Sequence, residues 1–136
     1  NAPEAKIDGI IVAEMISGGI ETVLGVNKDP VFGPTVMFGL GGVFVEVLKD
    51  VTFRVAPFGP EEARRMIDEI RGRAVLDGVR GAPPADIDAL ANAISTLSIF
   101  AAENSRTIDA IDINPFLALP KGAVAVDALI IPSGGS

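Results

Sequence analysis

The hydrophobic period of this chain changes twice along its length, and that restricts the fold more than any other feature. From Gly9 to Val55 the apolar residues come in short runs rich in β-branched side chains, cut by glycine and proline. Gly9 to Ile16 reads as one strand, broken by Ser17-Gly18-Gly19, and Ile20 to Lys28 as a second. Asp29-Pro30 and Phe32-Gly33-Pro34 are turn signals; Thr35 to Phe38 is a third strand. Gly39-Leu40-Gly41-Gly42 interrupts it, and Val43 to Val55 reads as a long fourth. Connections this short predict antiparallel neighbours joined by hairpins.

The period then becomes helical. Pro60 suits a first helical position, and Glu61 and Glu62 suit the positive end of a helix. Ala63, Met66, Ile67 and Ile70 form one apolar stripe, and Arg71-Gly72-Arg73 reads as a basic last turn. After a loop from Asp77 to Pro84, a second helix is predicted from about Pro84-Ala85-Asp86 to Asn104. It would bury Ile87, Leu90, Ala91, Ile94, Leu97 and Ala101. The strand period returns at Ile108 to Ile113, extends past Pro115 through Phe116 to Leu119, and resumes from Ala123 to Ile131 after the Pro120-Lys121-Gly122 turn. This order predicts an α+β fold: a mainly antiparallel sheet with two helices on one face.

With 136 residues, of which 49% are hydrophobic, the chain suits one domain with its own core. Residues 1–8 read as a tag remnant or linker, 9–132 as the domain and 133–136 as a polar tail. The start at Asn1-Ala2, without Met, points to a tag remnant or an excised piece of a longer protein. There is no Cys and no His, so thiolate nucleophiles, Cys-ligated metals, imidazole acid–base catalysis and phosphohistidine are all excluded within this sequence. The net charge is −7, from 11 Lys and Arg against 18 Asp and Glu, which disfavours nucleic-acid binding. No apolar run is long enough to span a membrane, and no secretory signal opens the chain, so a cytoplasmic location is expected.

Three groups of residues stand out. Asp112-Ile113-Asn114 places Asp112 and Asn114 on one face of a strand and Ile111 and Ile113 on the other. Asp127 lies within the next strand, which the Lys121 turn folds back alongside. Two carboxylates and an amide oxygen suit Mg²⁺; the same pattern also fits two half-exposed strands with solvated polar faces. Glu14 and Glu21 flank Ser17-Gly18-Gly19. Glu14 lies inside an apolar run, where it could accept from a ribose hydroxyl beside a backbone edge free to meet adenine; the pair also fits a surface hairpin with two outward acids. Gly39 to Gly42, with Glu46, allows a bulge or a close ligand approach. Arg54 and the pair Arg73 and Arg80 are candidate anion contacts or solvated surface charges.

Taken in order, Ile11 to Glu21, Phe32 to Gly42 with Glu46, Ile111 to Phe116, and Asp127 resemble the C-terminal lobe of the ATP-grasp domain of NDP-forming acyl-CoA synthetases. This family includes the ADP-forming acetate–CoA ligases and is related to the succinyl-CoA synthetase β subunit. The resemblance runs from about Gly9 to Ile131. It implies that Glu14 is the hinge acid, with Met15, Ile16 and Ser17 giving backbone contacts to adenine, and Glu21 a second acid on the nucleotide side. It implies Asn114 and Asp127 as Mg²⁺ ligands, with Asp112 beside them where relatives often carry Glu. The implied ligands are ATP or ADP and Mg²⁺, and the implied activity couples acyl-CoA formation to phosphoryl transfer. The implied partner is the rest of a longer polypeptide, with an N-terminal ATP-grasp lobe, a CoA-binding domain and the phosphorylated histidine. The chain alone is then expected to lack ligase turnover and to self-associate through the apolar surface its partner lobe would cover. A regulatory ATP-grasp module fused to a protein acetyltransferase is the alternative.

Overall fold

The computed structural model describes residues 18–134. The strand expected from Gly9 to Ile16 lies outside the described residues. Strand β1 (Ile20–Asp29) and β2 (Gly33–Leu40) form the first hairpin. Its turn is fixed by Asp29, whose Oδ1 accepts from the N–H groups of Val31 at 2.7 Å and Phe32 at 2.9 Å.

The run from Val43 to Val55 is not one strand. It divides into a single helical turn, α1 (Val43–Glu46), a loop, and β3 (Val51–Val55). Gly42 takes φ +64°, which reverses the chain, and its carbonyl accepts from the Glu46 N–H at 3.0 Å. This turn lets Phe44 pack against the core and lets Asp50 bury its side chain. Local β preference yields here to those tertiary contacts.

Helix α2 (Pro60–Glu69) buries Ala63, Met66 and Ile67 as the stripe predicts, with Ile70 just beyond. The expected basic last turn is replaced. Ile70 is extended, and a 3₁₀ helix follows over Arg71–Asp77. The cause is Asp50, whose two carboxylate oxygens accept from the Arg71 and Gly72 N–H groups, both at 2.7 Å. These contacts satisfy amides that would otherwise continue the α-helical ladder. Gly72 permits the approach, because a Cβ there would lie 2.7 Å from Leu40 Cδ1.

Helix α3 (Ile87–Glu103) starts at Asp86, whose carboxylate accepts from the Ala89 N–H at 3.1 Å. Leu90, Ala91, Ile94 and Ala101 are buried, while Ile87 and Leu97 are half-buried. Two buried serines on the same helix bind the preceding loop: Ser95 and Ser98 both donate to the Phe58 carbonyl, at 2.8 and 3.1 Å.

Strand β4 (Ile108–Ala118) is the spine of the sheet, whose order is β3-β2-β1-β4 and then β5 (Ala123–Ala125), all antiparallel. The predicted last strand is split into β5 (Ala123–Ala125) and β6 (Ala128–Pro132), which share one edge of β4. Helices α2 and α3 cover one face of the sheet, against Leu24, Val26, Val36, Phe38, Leu40, Ile111, Phe116 and Ala118. The opposite face is called the far face below.

Candidate functional site

The site is built on an irregularity in β4. On one side Thr22 of β1 pairs with Phe116, and on the other Leu24 pairs with Ile113. Two residues, Asn114 and Pro115, therefore oppose the single residue Val23, which is a β-bulge. Proline is tolerated in this interior strand because the bulge asks for no donated hydrogen bond at that point. The bulge also inverts the side-chain alternation along β4. Phe116 and Ala118 face the core on one side of it, and Ile111 and Ile113 on the other.

This inversion places the polar residues. Asp112, paired with Gly25 of β1, and Asn114 are both exposed on the far face. The Asn114 N–H donates to the Asp127 carbonyl at 3.1 Å, and the Val126 N–H donates to the Pro115 carbonyl at 3.0 Å. Asp127 therefore lies opposite Asn114 and is also exposed, in the gap between β5 and β6. Glu21, paired with Leu117, is exposed on the same face through the alternation of β1. Adjacent strands thus bring Asp112, Asn114 and Asp127 to one patch, with Glu21 further along the sheet. Glu14, Met15, Ile16 and Ser17 lie outside the described residues.

The ion pairs found among the described residues lie elsewhere, as in Lys28–Asp109, Arg54–Glu62 and Arg73–Asp68. No three His, Cys, Asp or Glu side chains converge among the described residues. The patch instead offers two carboxylates and one amide oxygen. An all-oxygen set of this size fits a hard divalent cation that keeps several waters or takes phosphate oxygens as its remaining ligands.

The other candidates lie away from this patch or serve the packing of the fold. Gly39 has no room for a side chain: a Cβ would lie 2.8 Å from Val51 Cγ1 and 2.9 Å from the Asp50 carbonyl. Gly41 lies flat against Glu21, donating to its carbonyl at 2.8 Å. Glu46 is exposed at the end of α1. Arg54 is held by Glu69 at 2.5 Å and Glu62 at 2.7 Å, contacts that raise its pKa further. Arg73 binds Asp68 and Asp77, both at 2.8 Å. Both guanidinium groups are engaged in ion pairs within the chain, whereas Arg80 is exposed on the loop after the 3₁₀ helix.

Reading by alternation missed Thr22 and Asp50. The Thr22 hydroxyl, fully buried, donates to the Phe116 carbonyl at 2.6 Å. Pro115 within an apolar strand pattern was the available signal for the bulge this contact borders. Asp50 carried no such signal, because its two amide partners are 21 and 22 residues away.

The sheet thus carries helices on one face and an acidic, oxygen-rich patch on the other, and comparison with known proteins gives its class. The model of the ATP-grasp domain matches residues 1–131, and the chain belongs to that family. It is 46% identical over 134 residues to the acetate–CoA ligase (ADP-forming) II subunit beta of Pyrococcus furiosus, covering 97% of this chain and 57% of that one. It is 49% identical over 129 residues to the corresponding I subunit beta of the same organism, covering 95% and 55%. Among solved structures it is similar to the dinucleotide-forming acetyl-coenzyme A synthetase 1 of Ca. Korarchaeum cryptofilum, in complex with coenzyme A and acetyl-coenzyme A and with a phosphorylated phosphohistidine segment. The TM-score is 0.90 at 48% identity, over 97% of this chain and 58% of that one. The same synthetase in complex with coenzyme A and Mg-AMPPCP matches with a TM-score of 0.81 at 47% identity, over 86% of this chain and 55% of that one. The chain thus spans a little over half the length of these relatives. The family and the fold class expected from the sequence are both borne out. Among the described residues no helix is long and apolar enough to cross a membrane.

Proposed function

We propose that this chain is the nucleotide- and Mg²⁺-binding lobe of an ADP-forming acid–CoA ligase. The observation that supports this best is the exposed oxygen set of Asp112, Asn114 and Asp127, on paired strands of a chain nearly half identical to ligase subunits. In this reading Asn114 and Asp127 hold Mg²⁺ and Asp112 steadies its water shell. Glu21 orients the nucleotide from the same face, and Glu14 with the backbone of Met15 to Ser17 receives adenine and ribose. Bound Mg²⁺ would supply charge neutralisation at the phosphate oxygens, the main electrostatic need of phosphoryl transfer. In this reading the hydrogen bonds between the paired strands hold the two ligands side by side. A phosphoryl relay through histidine would need a residue outside these 136, which contain none.

The test is nucleotide binding by the intact protein with and without Mg²⁺. Asn114→Ala and Asp127→Ala should each weaken Mg·ATP binding by about 10- to 100-fold, the range seen when metal-site partners are removed. Affinity for metal-free ATP should change little. Mg·ATP affinity equal to wild type in both variants would overturn the reading. The 136-residue chain alone should form no acyl-CoA from acid, CoA and ATP.

A further inference from the structure

The β4 bulge decides which way the polar residues of the patch point, so whatever holds the bulge in place also aims them. Count the strand without it. Phe116 and Ala118 face the core. In an unbroken alternation Asn114 and Asp112 would then face the core as well, and Ile111 and Ile113 would face outward. The surplus residue at Asn114-Pro115 is what lets both halves of the strand bury their apolar side chains while turning Asp112 and Asn114 to the far face.

The bulge is gripped from both neighbouring strands. On the β5–β6 side the grip is backbone: Asn114 to the Asp127 carbonyl and Val126 to the Pro115 carbonyl. On the β1 side Pro115 has no N–H to give, and a side chain serves instead. The Thr22 hydroxyl donates to the carbonyl of Phe116, the residue directly after the bulge, at 2.6 Å. Thr22 is fully buried, and its neighbours on the same face of the strand are Ile20 and Leu24 of the core. Valine has nearly the same shape and differs by the hydroxyl, so the shape of the space alone does not account for threonine here. A buried hydroxyl needs a partner, and here that partner is the backbone atom that ends the bulge.

We propose that Thr22 is a positioning residue for the metal site: its hydroxyl locks the register of the Asn114-Pro115 bulge and so aims Asn114 at the ion shared with Asp127. This rests on the Mg²⁺ reading given above. Thr22 touches neither metal nor nucleotide and acts only through β4.

The experiment is a titration of ATP binding to the intact protein by calorimetry, in EDTA and then with Mg²⁺, for wild type, Thr22→Val, Thr22→Ser and Asn114→Ala. Thr22→Val should reduce the gain in ATP affinity that Mg²⁺ provides by about 10-fold or more, as loss of outer partners does at other metal sites. Its metal-free ATP affinity should equal wild type. Thr22→Ser keeps the donor and should retain the gain to within about 3-fold. If Thr22→Val does not fold, Thr22→Cys, with its weaker S–H donor, should show a partial loss. The proposal is overturned if Thr22→Val (or Thr22→Cys in its place) keeps the full gain, if Thr22→Ser loses as much, or if metal-free and Mg²⁺-dependent binding fall by the same factor. Asn114→Ala separates the two claims. A full gain in Asn114→Ala removes the metal reading and this proposal together. A lost gain there, beside an intact one in Thr22→Val, removes only the role of Thr22.

Discussion

Asp86 joins two parts of the molecule with one carboxylate. It caps α3 through the Ala89 N–H and reaches across to the Gly122 N–H, at 2.8 Å, in the turn between β4 and β5. Its own N–H donates to the Leu119 carbonyl at 2.8 Å. The Gly122 and Ala89 amides, in that order, hold its carboxyl below the ordinary aspartate value. Glu62 is likewise lowered, by Arg54 first and Arg65 second. The folded pKa lies below the unfolded one in both cases. The stability these groups contribute is therefore complete above the unfolded value, near 4, and is lost as pH falls below it through the lower folded value. Urea unfolding across pH should show wild type more stable than Asp86→Asn at pH 7, with the two curves converging in acid. A constant difference down to pH 2 would show that Asp86 acts through something other than its charge.

Elements differ in how openly the sequence declares them. Helices α2 and α3 were legible because helical period, caps and an apolar stripe all agree on the same residues. Hairpin β1–β2 was legible from its punctuation. Two strands were misjudged for a shared reason, that the deciding contact is distant in sequence. Val43 to Val55 has strand composition throughout, yet Gly42 and the burial of Asp50 turn its first part into α1. The final strand divides at Val126-Asp127 because it follows the bulge of β4 rather than its own alternation. Gly39 shows how tightly this region is fitted. Gly39→Ala would drive a methyl against Val51, the Asp50 carbonyl and, at 3.1 Å, Val45 Cγ2. It should lower stability by about 1–3 kcal/mol, the usual range for overpacking, measured as a shift in denaturant midpoint. Metal-dependent nucleotide binding should persist at low denaturant, because the clash lies away from β4.

At the scale of the molecule the two faces of the sheet differ in character. The helix-covered face carries the core, and its residues were largely readable as such. The far face carries the patch, and alternation alone put Asp112 and Asn114 together there. Alternation alone could not show that a surplus residue keeps them there, since a bulge exists only between two strands. One edge of this sheet is strongly apolar. Leu129, Ile130 and Ile131 of β6 are 60%, 49% and 49% exposed, and Phe53 of β3 is 55% exposed at the opposite edge. Such edges pair readily with other chains. Sedimentation of the 136-residue chain should show its average mass rising with concentration, and Leu129→Lys should reduce that rise. A monomer at every concentration would show that these edges are harmless.

The bulge also sets what kind of change β4 can accept over time. Replacing one residue by another leaves the count of two against one intact, and the damage stays local. Removing either Asn114 or Pro115 evens the count against β1, but it unbalances the pairing with Val126 and Asp127 on the other side and turns every side chain on one half of the strand to the wrong face. The acid would go inward and the isoleucines outward. Inserting one residue has the same result. Between Asp112 and Phe116 the strand is therefore held more strictly in length than in composition, apart from the residues that the site itself uses. Relatives that share the site should align through this stretch without a gap, even where their residues differ.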